Sequence, residues 1–585
     1  MENHCSRIVI LQSSADCIVY DKSHKKKNDL ILPIGPDAFY FCDSNSLSFI
    51  DLEKLCERDI YENDHKISQE ILDNTIDDLN KHAFSITGSN GLEIGNYFGF
   101  QLWIITGQIL YNYSLCKALK KKFNESSVLI FKSIIEEKSF IFRPDPNNLL
   151  AEILFKSKFY SEEKLQIVKL KKSYKSRSIK DFFIESIPSI FSFYIKLARD
   201  QFRTSNINFF YKNKKKLALI GGGYDWYKFS KNKSAAKEFS TSIERIHVSN
   251  SYEKNYKEIN QILDKNIFTD GVSFFDFSEL SNFIGSYLDF FIKIEESTKK
   301  RLVKFDAVIS SVLTFPEENF IAHMAVKNNL PLYMWQHGEK GQSFDETILY
   351  TELFYATDYF LYADKIKNDY DDWIGKNYFK KMHVVGTIGK KIRWSSKDSN
   401  KVVYATGKWL LTATAFTDFV DPDYRMYRAH RGILGYLDNV IGREVILKAN
   451  NTKGSNAIPY IKDYKDIEFD FDTAFTQLLT NAGVIILDTP ATTLVEACST
   501  EVPIFVLDGR NKYRENFLHL IKKRVIWCKT VDELILKLDL YFKKGIYEAD
   551  VTDKSYLRGY VNADQTHSPE NKIIEILKKG MLNNV

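Results

Sequence analysis

Short apolar runs recur along the chain, most of them four to six residues long and nearly free of polar interruption. Before residue 400 they fall at 7–11, 127–131, 217–220, 307–310, 332–335, 359–362 and 383–385. After it they fall at 402–405, 444–448, 484–487, 503–507 and 525–527. Runs without polar alternation fit strands buried on both faces, and such strands belong to parallel sheets covered by helices. Amphipathic stretches between the runs, such as 319–328 and 492–499, are long enough to carry a crossover between parallel strands. The predicted fold class is therefore α/β and doubly wound.

The strand series restarts near residue 400. A polar patch at 393–401 separates a run ending at 383–391 from a new one opening at 402, and it reads as a linker. Two Rossmann-like domains facing a cleft are expected. The first spans 1–392, with 1–79 as an extension that continues the first sheet and 160–215 as a helical insertion. The second spans 400–585. A length of 585 residues suits this division, at about 100–200 residues per domain.

Composition narrows the class further. Lys and Arg total 81 against 76 Asp and Glu, a net charge of +5, so there is no basic field of the kind a general nucleic-acid binder needs. Seven Cys are scattered without a CxxC spacing, which indicates neither a disulfide scaffold nor a zinc ribbon and fits a reducing compartment. The apolar stretches 98–111 and 182–197 fall short of the roughly 20 residues that span a bilayer. The start of the chain has no basic segment leading into a long apolar core. A soluble, cytoplasmic protein is expected. Residues 160–215 interleave Lys and Arg with Phe, Ile and Tyr. One reading is a peripheral contact with an anionic membrane surface through 165–200; the other is an insertion helix packing its apolar face on the first domain.

Ligands of open α/β sheets bind beyond the carboxyl ends of the strands, so the residues following each run carry the functional information. The run 484–487 leads into Asp488, Thr489 and Pro490. Thr489 is placed to cap a helix with Pro490 in its first turn and Thr492 and Thr493 just behind, an arrangement that suits a phosphate. Glu496 lies one turn further on the same face, within reach of a ribose diol. Thr406 and Lys408 follow the run 402–405, while Lys448 and Asn450 follow 444–448. Together with Asp488, Thr492, Thr493 and Glu496 they form the candidate nucleotide set, the lysines offsetting phosphate charge. The run 332–335 leads into Gln336, His337 and Gly338. Gly338 permits a sharp turn that aims His337 at a cleft, and His is the usual proton-transfer side chain near neutral pH.

Glu317 and Glu318, after 307–310, are candidates to orient His337 or to act as a base. Gly221, Gly222 and Gly223 follow 217–220 and allow close backbone approach, with Asp225 as a further candidate base. The spacing matches neither a dinucleotide fingerprint nor a P-loop. Ser89, in a Gly-Ser-Asn-Gly turn before a long helix, is either a cap or an acceptor loop. No DxD pair stands at a strand end, and neither HExxH nor clustered His occurs, so no essential metal and no bound cofactor are expected.

In this order, QHG at 336–338, VVG at 384–386, VILK at 445–448 and DTPATTLVEACSTEVPIFVL at 488–507 resemble bacterial GT-B glycosyltransferases of capsule and lipopolysaccharide synthesis. That broad group includes the Kdo transferases and the glycerophosphate polymerases of teichoic acid synthesis. The resemblance covers roughly 300–530 and weakens before it. It implies a C-terminal domain that holds a CMP- or UDP-linked sugar and an N-terminal domain that presents a glycan or lipid-linked glycan acceptor at the inner face of the cytoplasmic membrane. Lys448, Thr492, Thr493 and Glu496 then fall on the donor side, and His337 faces them across the cleft. Two departures leave the donor open: Ala-Asn-Asn follows Lys448 where many relatives have His-Pro, and DTPATT replaces a TDYSS-like motif. Transfer of a polyol phosphate from a CDP-linked donor is the alternative chemistry. A non-catalytic scaffold of polysaccharide assembly is the alternative class.

Overall fold

The computed structural model describes residues 7–55, 58–133, 146–157, 159–170, 214–221, 224–244, 256–267, 277–338, 348–374, 381–387, 399–407, 423–440, 442–449, 460, 463–508, 513–561 and 568–582. Among these residues the chain forms three parallel sheets rather than two. The first contains β1 (Arg7–Leu11), β2 (Asp29–Pro33), β3 (Ser127–Ser133) and β4 (Leu165–Leu170), in the spatial order β2-β1-β3-β4. The second contains β5 (Lys215–Leu219), β6 (Phe239–Ile243), β7 (Ala307–Ser310), β8 (Leu332–Trp335), β9 (Asp358–Leu361) and β10 (Met382–Val384), in the order β10-β9-β8-β7-β5-β6. The third contains β11 (Lys401–Ala405), β12 (Glu444–Lys448), β13 (Ile467–Asp470), β14 (Val484–Leu487), β15 (Ile504–Leu507) and β16 (Ile526–Cys528), in the order β13-β12-β11-β14-β15-β16.

The α/β class and the parallel pairing match the expectation from the apolar runs. Every residue of β1, β7, β8, β9, β14 and β15 is buried, as strands covered on both faces require. The expected extension of one sheet by residues 1–79 is corrected. β1 pairs with β2 and with β3, so these strands close a separate four-stranded sheet. The expected helical insertion at 160–215 is corrected where it is described. Residues 165–170 form β4, which pairs in parallel with β3. Residues 171–213 lie outside the described residues.

Numbered within itself, the third sheet runs 3-2-1-4-5-6. Its direction of winding reverses between β11 and β14, which opens a crevice at the carboxyl ends of those two strands. In the second sheet the reversal lies between β5 and β7.

Helices cover the sheets and join the three units. Helix α1 (Pro36–Ser44) belongs to the first unit. Helix α2 (Gly99–Lys122) is buried at every position from Gln101 to Tyr113 and packs on both the helix Pro146–Lys156 and the turn Leu349–Leu353. It carries the apolar stretch 98–111, here enclosed between the first and second units. No helix among the described residues is long and apolar enough to cross a membrane.

Helix α3 (Pro316–Lys327) follows β7, α4 (Asp423–Leu437) lies between β11 and β12, and α5 (Thr492–Cys498) follows β14. α1 meets α4 across a seam. Phe39 stacks on Tyr427 with ring centroids 5.6 Å apart, Tyr427 Oη donates to Asp43, and Arg428 pairs with Asp51 at 3.3 Å. Tyr40 Oη also donates to Asp463 at 2.9 Å. At the other end of the chain, α6 (Pro569–Leu582) crosses back to the second unit. There Lys578 pairs with Glu238 at 2.8 Å, while Tyr560, shortly before α6, donates to Asp369.

Candidate functional site

The candidate residues cluster at the carboxyl ends of β7 and β8 on one side and of β11, β12 and β14 on the other. The two sides approach each other. A Cβ placed on Gly338 would stand 3.8 Å from Thr492 Oγ1, so the turn after β8 lies close to the start of α5.

On the second-sheet side, the turn after β8 is held by its own neighbours. Gln336 is fully buried. Its amide donates to the Gly338 carbonyl at 3.0 Å and accepts from the Tyr362 N–H at 3.2 Å. Gln336 therefore braces the turn. The His337 N–H donates to Glu352 Oε2 at 3.1 Å, and the same oxygen accepts from Tyr359 Oη. This anchors the backbone while the His337 side chain stands exposed at the mouth. Gly338 has φ +67°, the left-handed region that glycine enters without a Cβ clash.

After β7 the chain turns into α3. Glu318 Oε2 accepts the N–H groups of Thr314 and Phe315, at 2.9 and 3.1 Å, and so serves the helix start. Glu317 differs from its neighbour. Its Oε2 is buried without a hydrogen-bond partner, and burial pushes its carboxyl above the ordinary glutamate range. Ser311 Oγ, 1% exposed as a residue, is likewise buried and unpartnered. Gly221 reaches this crevice from β5 with φ +61°, and a Cβ there would meet the Val312 carbonyl at 2.4 Å. Gly222 and Gly223 lie outside the described residues. Asp225 begins the helix Tyr224–Lys231, and its side chain lies outside the described residues.

Ser89 is not brought to this mouth. It follows the helix Ala83–Thr87 and bonds to Thr87, while the adjacent Gly91 approaches Lys327, at the far end of α3 from Glu317. The left-handed Gly88 that ends that helix accounts for the Gly-Ser-Asn-Gly signal.

On the third-sheet side, Asp488 follows β14 and is turned inward. It is 5% exposed, and its oxygens are taken by the protein. Oδ1 accepts the Gly407 N–H at 2.7 Å; Oδ2 accepts Tyr404 Oη at 2.9 Å and faces His430 Nε2 at 2.6 Å. Burial would raise this carboxyl. The charge and hydrogen bond of His430, with those from Gly407 and Tyr404, outweigh it and hold Asp488 below the usual aspartate value. His430 Nδ1 in turn meets Tyr460 Oη at 2.8 Å.

Thr489 does not cap α5. The cap position is Ala491, which offers no side-chain acceptor, and the helix begins at Thr492. Thr489 Oγ1 is instead buried without a partner against Gly407, where a Cβ would come within 2.1 Å of it. Thr492 is exposed, and Thr493 and Glu496 are half-buried. The Thr406 N–H continues the pairing of β11 with β12 by donating to the Lys448 carbonyl at 3.0 Å. Lys448 Nζ lies 3.5 Å from Asp470 Oδ1, a long contact that partly offsets its charge. Lys408 and Asn450 lie outside the described residues.

Tyr404, His430 and Tyr460 escape a strand-end search because they sit upstream of, or between, the motifs. Their one sequence signal is on α4. Met426, His430, Ile433 and Leu437 share an apolar stripe at helical spacing, and His430 is its polar member.

No family model and no curated protein sequence matches the chain. By structure it is similar to an S. aureus MnaA–UDP co-structure, with 11% identity, a TM-score of 0.40, and coverage of 64% of this chain and 98% of that one. It is also similar to MurG of Acinetobacter baumannii, with 11% identity, a TM-score of 0.36, and coverage of 63% and 100%. A putative UDP-N-acetylglucosamine 2-epimerase from Listeria monocytogenes gives 11% identity, a TM-score of 0.38, and coverage of 63% and 96%.

Proposed function

We propose that the chain is a glycosyltransferase that takes a sugar from a nucleotide-activated donor at the third-sheet crevice and passes it to a hydroxyl presented at the second-sheet crevice. The observation that carries this reading is the approach of the two mouths at Gly338 and Thr492, with Glu317, whose Oε2 has no hydrogen-bond partner, after the strand adjacent to β8.

The chemistry divides between the two sides. Transfer from a nucleotide sugar develops negative charge on the leaving phosphate and needs a proton taken from the acceptor hydroxyl. Lys448 and the hydroxyls of Thr406, Thr492 and Thr493 answer the first need by stabilising the departing nucleotide. Glu496, one turn along α5, is assigned to the ribose diol. Glu317 answers the second need. A carboxyl raised by burial is, once ionised, a stronger base than a solvated one, and Glu317 Oε2 makes no hydrogen bond within the protein. His337, exposed at the mouth, is assigned to orienting acceptor or phosphate. Contact between the two units excludes water and limits hydrolysis of the donor.

The acceptor is proposed to be a glycan or lipid-linked glycan of a surface polysaccharide, met on the cytoplasmic side of the membrane. No metal or cofactor is assigned a role. The test is nucleotide release from a panel of UDP-, CMP- and GDP-sugars, preceded by thermal shift with the free nucleotides, since a true ligand raises the melting temperature by mass action. Release that depends on acceptor glycan and is lost in Glu317→Gln supports the proposal. Thermal shift by CDP alone with transfer of a polyol phosphate selects the alternative chemistry. Absence of any nucleotide binding by the folded chain overturns both.

A further inference from the structure

We propose that His430 is a positioning residue for the third-sheet crevice, acting through Asp488 to hold the three loops around it in one arrangement. This deepens the nucleotide reading and rests on it.

β12, β11 and β14 are neighbours in the sheet, and the winding reversal lies between the last two. One buried cluster ties together the segments that follow all three. Tyr404, from the end of β11, donates to Asp488, which follows β14. The Gly407 N–H, just past β11, donates to the other oxygen of the same carboxylate. Tyr460, in the segment after β12, meets His430 Nδ1. His430 closes the circuit with the 2.6 Å contact of its Nε2 to Asp488. Tyr404, His430 and Tyr460 are fully buried and Asp488 nearly so, so no water substitutes for these bonds.

Asp488 is the acceptor at the centre of the cluster, and both ring nitrogens of His430 are engaged, Nε2 with Asp488 Oδ2 and Nδ1 with the Tyr460 hydroxyl. A donor facing an ionised acceptor in a dry site is stronger than a neutral pair, and a missing partner there is costly. Loss of the imidazole leaves Asp488 to reorient or to take up a proton. Either change moves the Gly407 amide, which packs against Thr489 with no room for a Cβ. Thr489 leads directly to the Thr492–Thr493 start of α5. The path from the imidazole to the expected phosphate contacts therefore runs through packed atoms, with His430 itself out of reach of any ligand.

Calorimetric titration of the full-length chain with UDP, CDP, GDP and CMP tests this, because it returns affinity and stoichiometry separately. A merely structural role lowers the fraction of competent molecules, so stoichiometry falls at constant Kd. A positioning role raises Kd at constant stoichiometry. For the nucleotide that wild type binds most tightly, His430→Ala is expected to raise Kd at least tenfold. His430→Gln, whose amide can donate from a similar position, is expected to stay within about threefold of wild type. Tyr460→Phe keeps the ring and removes only the hydroxyl that orients the imidazole, and a rise of about threefold is expected.

Unchanged Kd in folded His430→Ala overturns the proposal. Should His430→Ala fail to fold, unchanged Kd in Tyr460→Phe overturns it equally. His430→Gln as weak as the alanine variant also counts against it. If wild type binds none of the four nucleotides, the nucleotide reading itself falls, and this inference falls with it.

Discussion

The second and third sheets each bring a carboxyl group to a strand end beside a winding reversal, and the surroundings drive the two groups in opposite directions. Asp488 is surrounded by donors: a backbone amide, a phenol and an imidazole converge on its two oxygens. Glu317 is buried with one oxygen facing no partner at all. Burial disfavours both carboxylates, but only Asp488 has the neighbours to reverse its effect. One carboxyl thus has both oxygens bonded inside the protein, while the other has an oxygen with no hydrogen-bond partner. Burial by itself does not say what a carboxylate is for; the count of donors around it does.

The largest effect that sharpens this contrast is chemical. Glu317→Gln keeps the shape and removes the base, so turnover is expected to fall about 10²–10⁴-fold, the usual contribution of general base catalysis. Nucleotide affinity is expected to be unchanged by calorimetry. Full turnover by the folded variant would remove Glu317 from the mechanism.

Next comes stability. Asp488→Ala strands three donors, one of them the imidazole of a buried pair, and is expected to cost about 3–5 kcal/mol in a urea titration. Glu317→Ala gives up no hydrogen bond at Oε2 and is expected to cost far less. Equal losses would break the comparison.

Gly407→Ala comes third. Its Cβ would push Thr489 aside, with an expected cost of about 1–3 kcal/mol from overpacking and weaker nucleotide binding in the same titration.

The smallest effect is the pH dependence of stability, and its sign differs between the two groups. The folded-state pKa of Asp488 is depressed. Its contribution is therefore present above the unfolded value of about 3.9 and is lost as pH falls through the folded value. The folded-state pKa of Glu317 is raised. The folded chain holds that proton longer, so stability declines as pH rises from about 4.3 toward the folded value. Melting curves from pH 3 to 7 should show Asp488→Asn flattening the acid limb and Glu317→Gln flattening the decline above it. The reverse assignment would contradict the environments described.

The sequence pattern reveals strands according to their place in a sheet. Interior strands such as β7, β8, β14 and β15 are uniformly apolar and stand out. β4, β6 and β13, which carry polar residues within the strand, are all edges, whereas β2 is an edge that reads as an apolar run after Asp29. β4 reads Leu, Gln, Ile, Val, Lys, Leu, and β6 reads Phe, Ser, Thr, Ser, Ile, because an edge meets solvent along part of its length. Missing β2 and β4 leaves β1 and β3 without a sheet of their own, so the first unit passes for an extension of the second.

The site was legible in a similar, partial way. Residues that follow a strand directly, such as Glu317, His337 and Thr492, announce themselves by position. Asp488 announces itself too, but its partners Tyr404 and His430 are 84 and 58 residues away, and only the fold brings them together. Local pattern shows which groups reach a crevice, and long-range contact shows which of them are already engaged.

The seam between α1 and α4 joins Asp43 to Tyr427, 384 positions later. During synthesis from the N-terminus at about 5–20 residues per second, that separation amounts to a delay of roughly 20–80 s. Throughout it the Phe39 ring has no Tyr427 to stack on, even after β4, the last strand of its sheet, has been made. Proteolysis of stalled nascent chains should find the segment around residue 39 cleavable in chains shorter than about 430 residues and protected in longer ones. The newborn polypeptide therefore carries an unfinished aromatic edge through most of its translation.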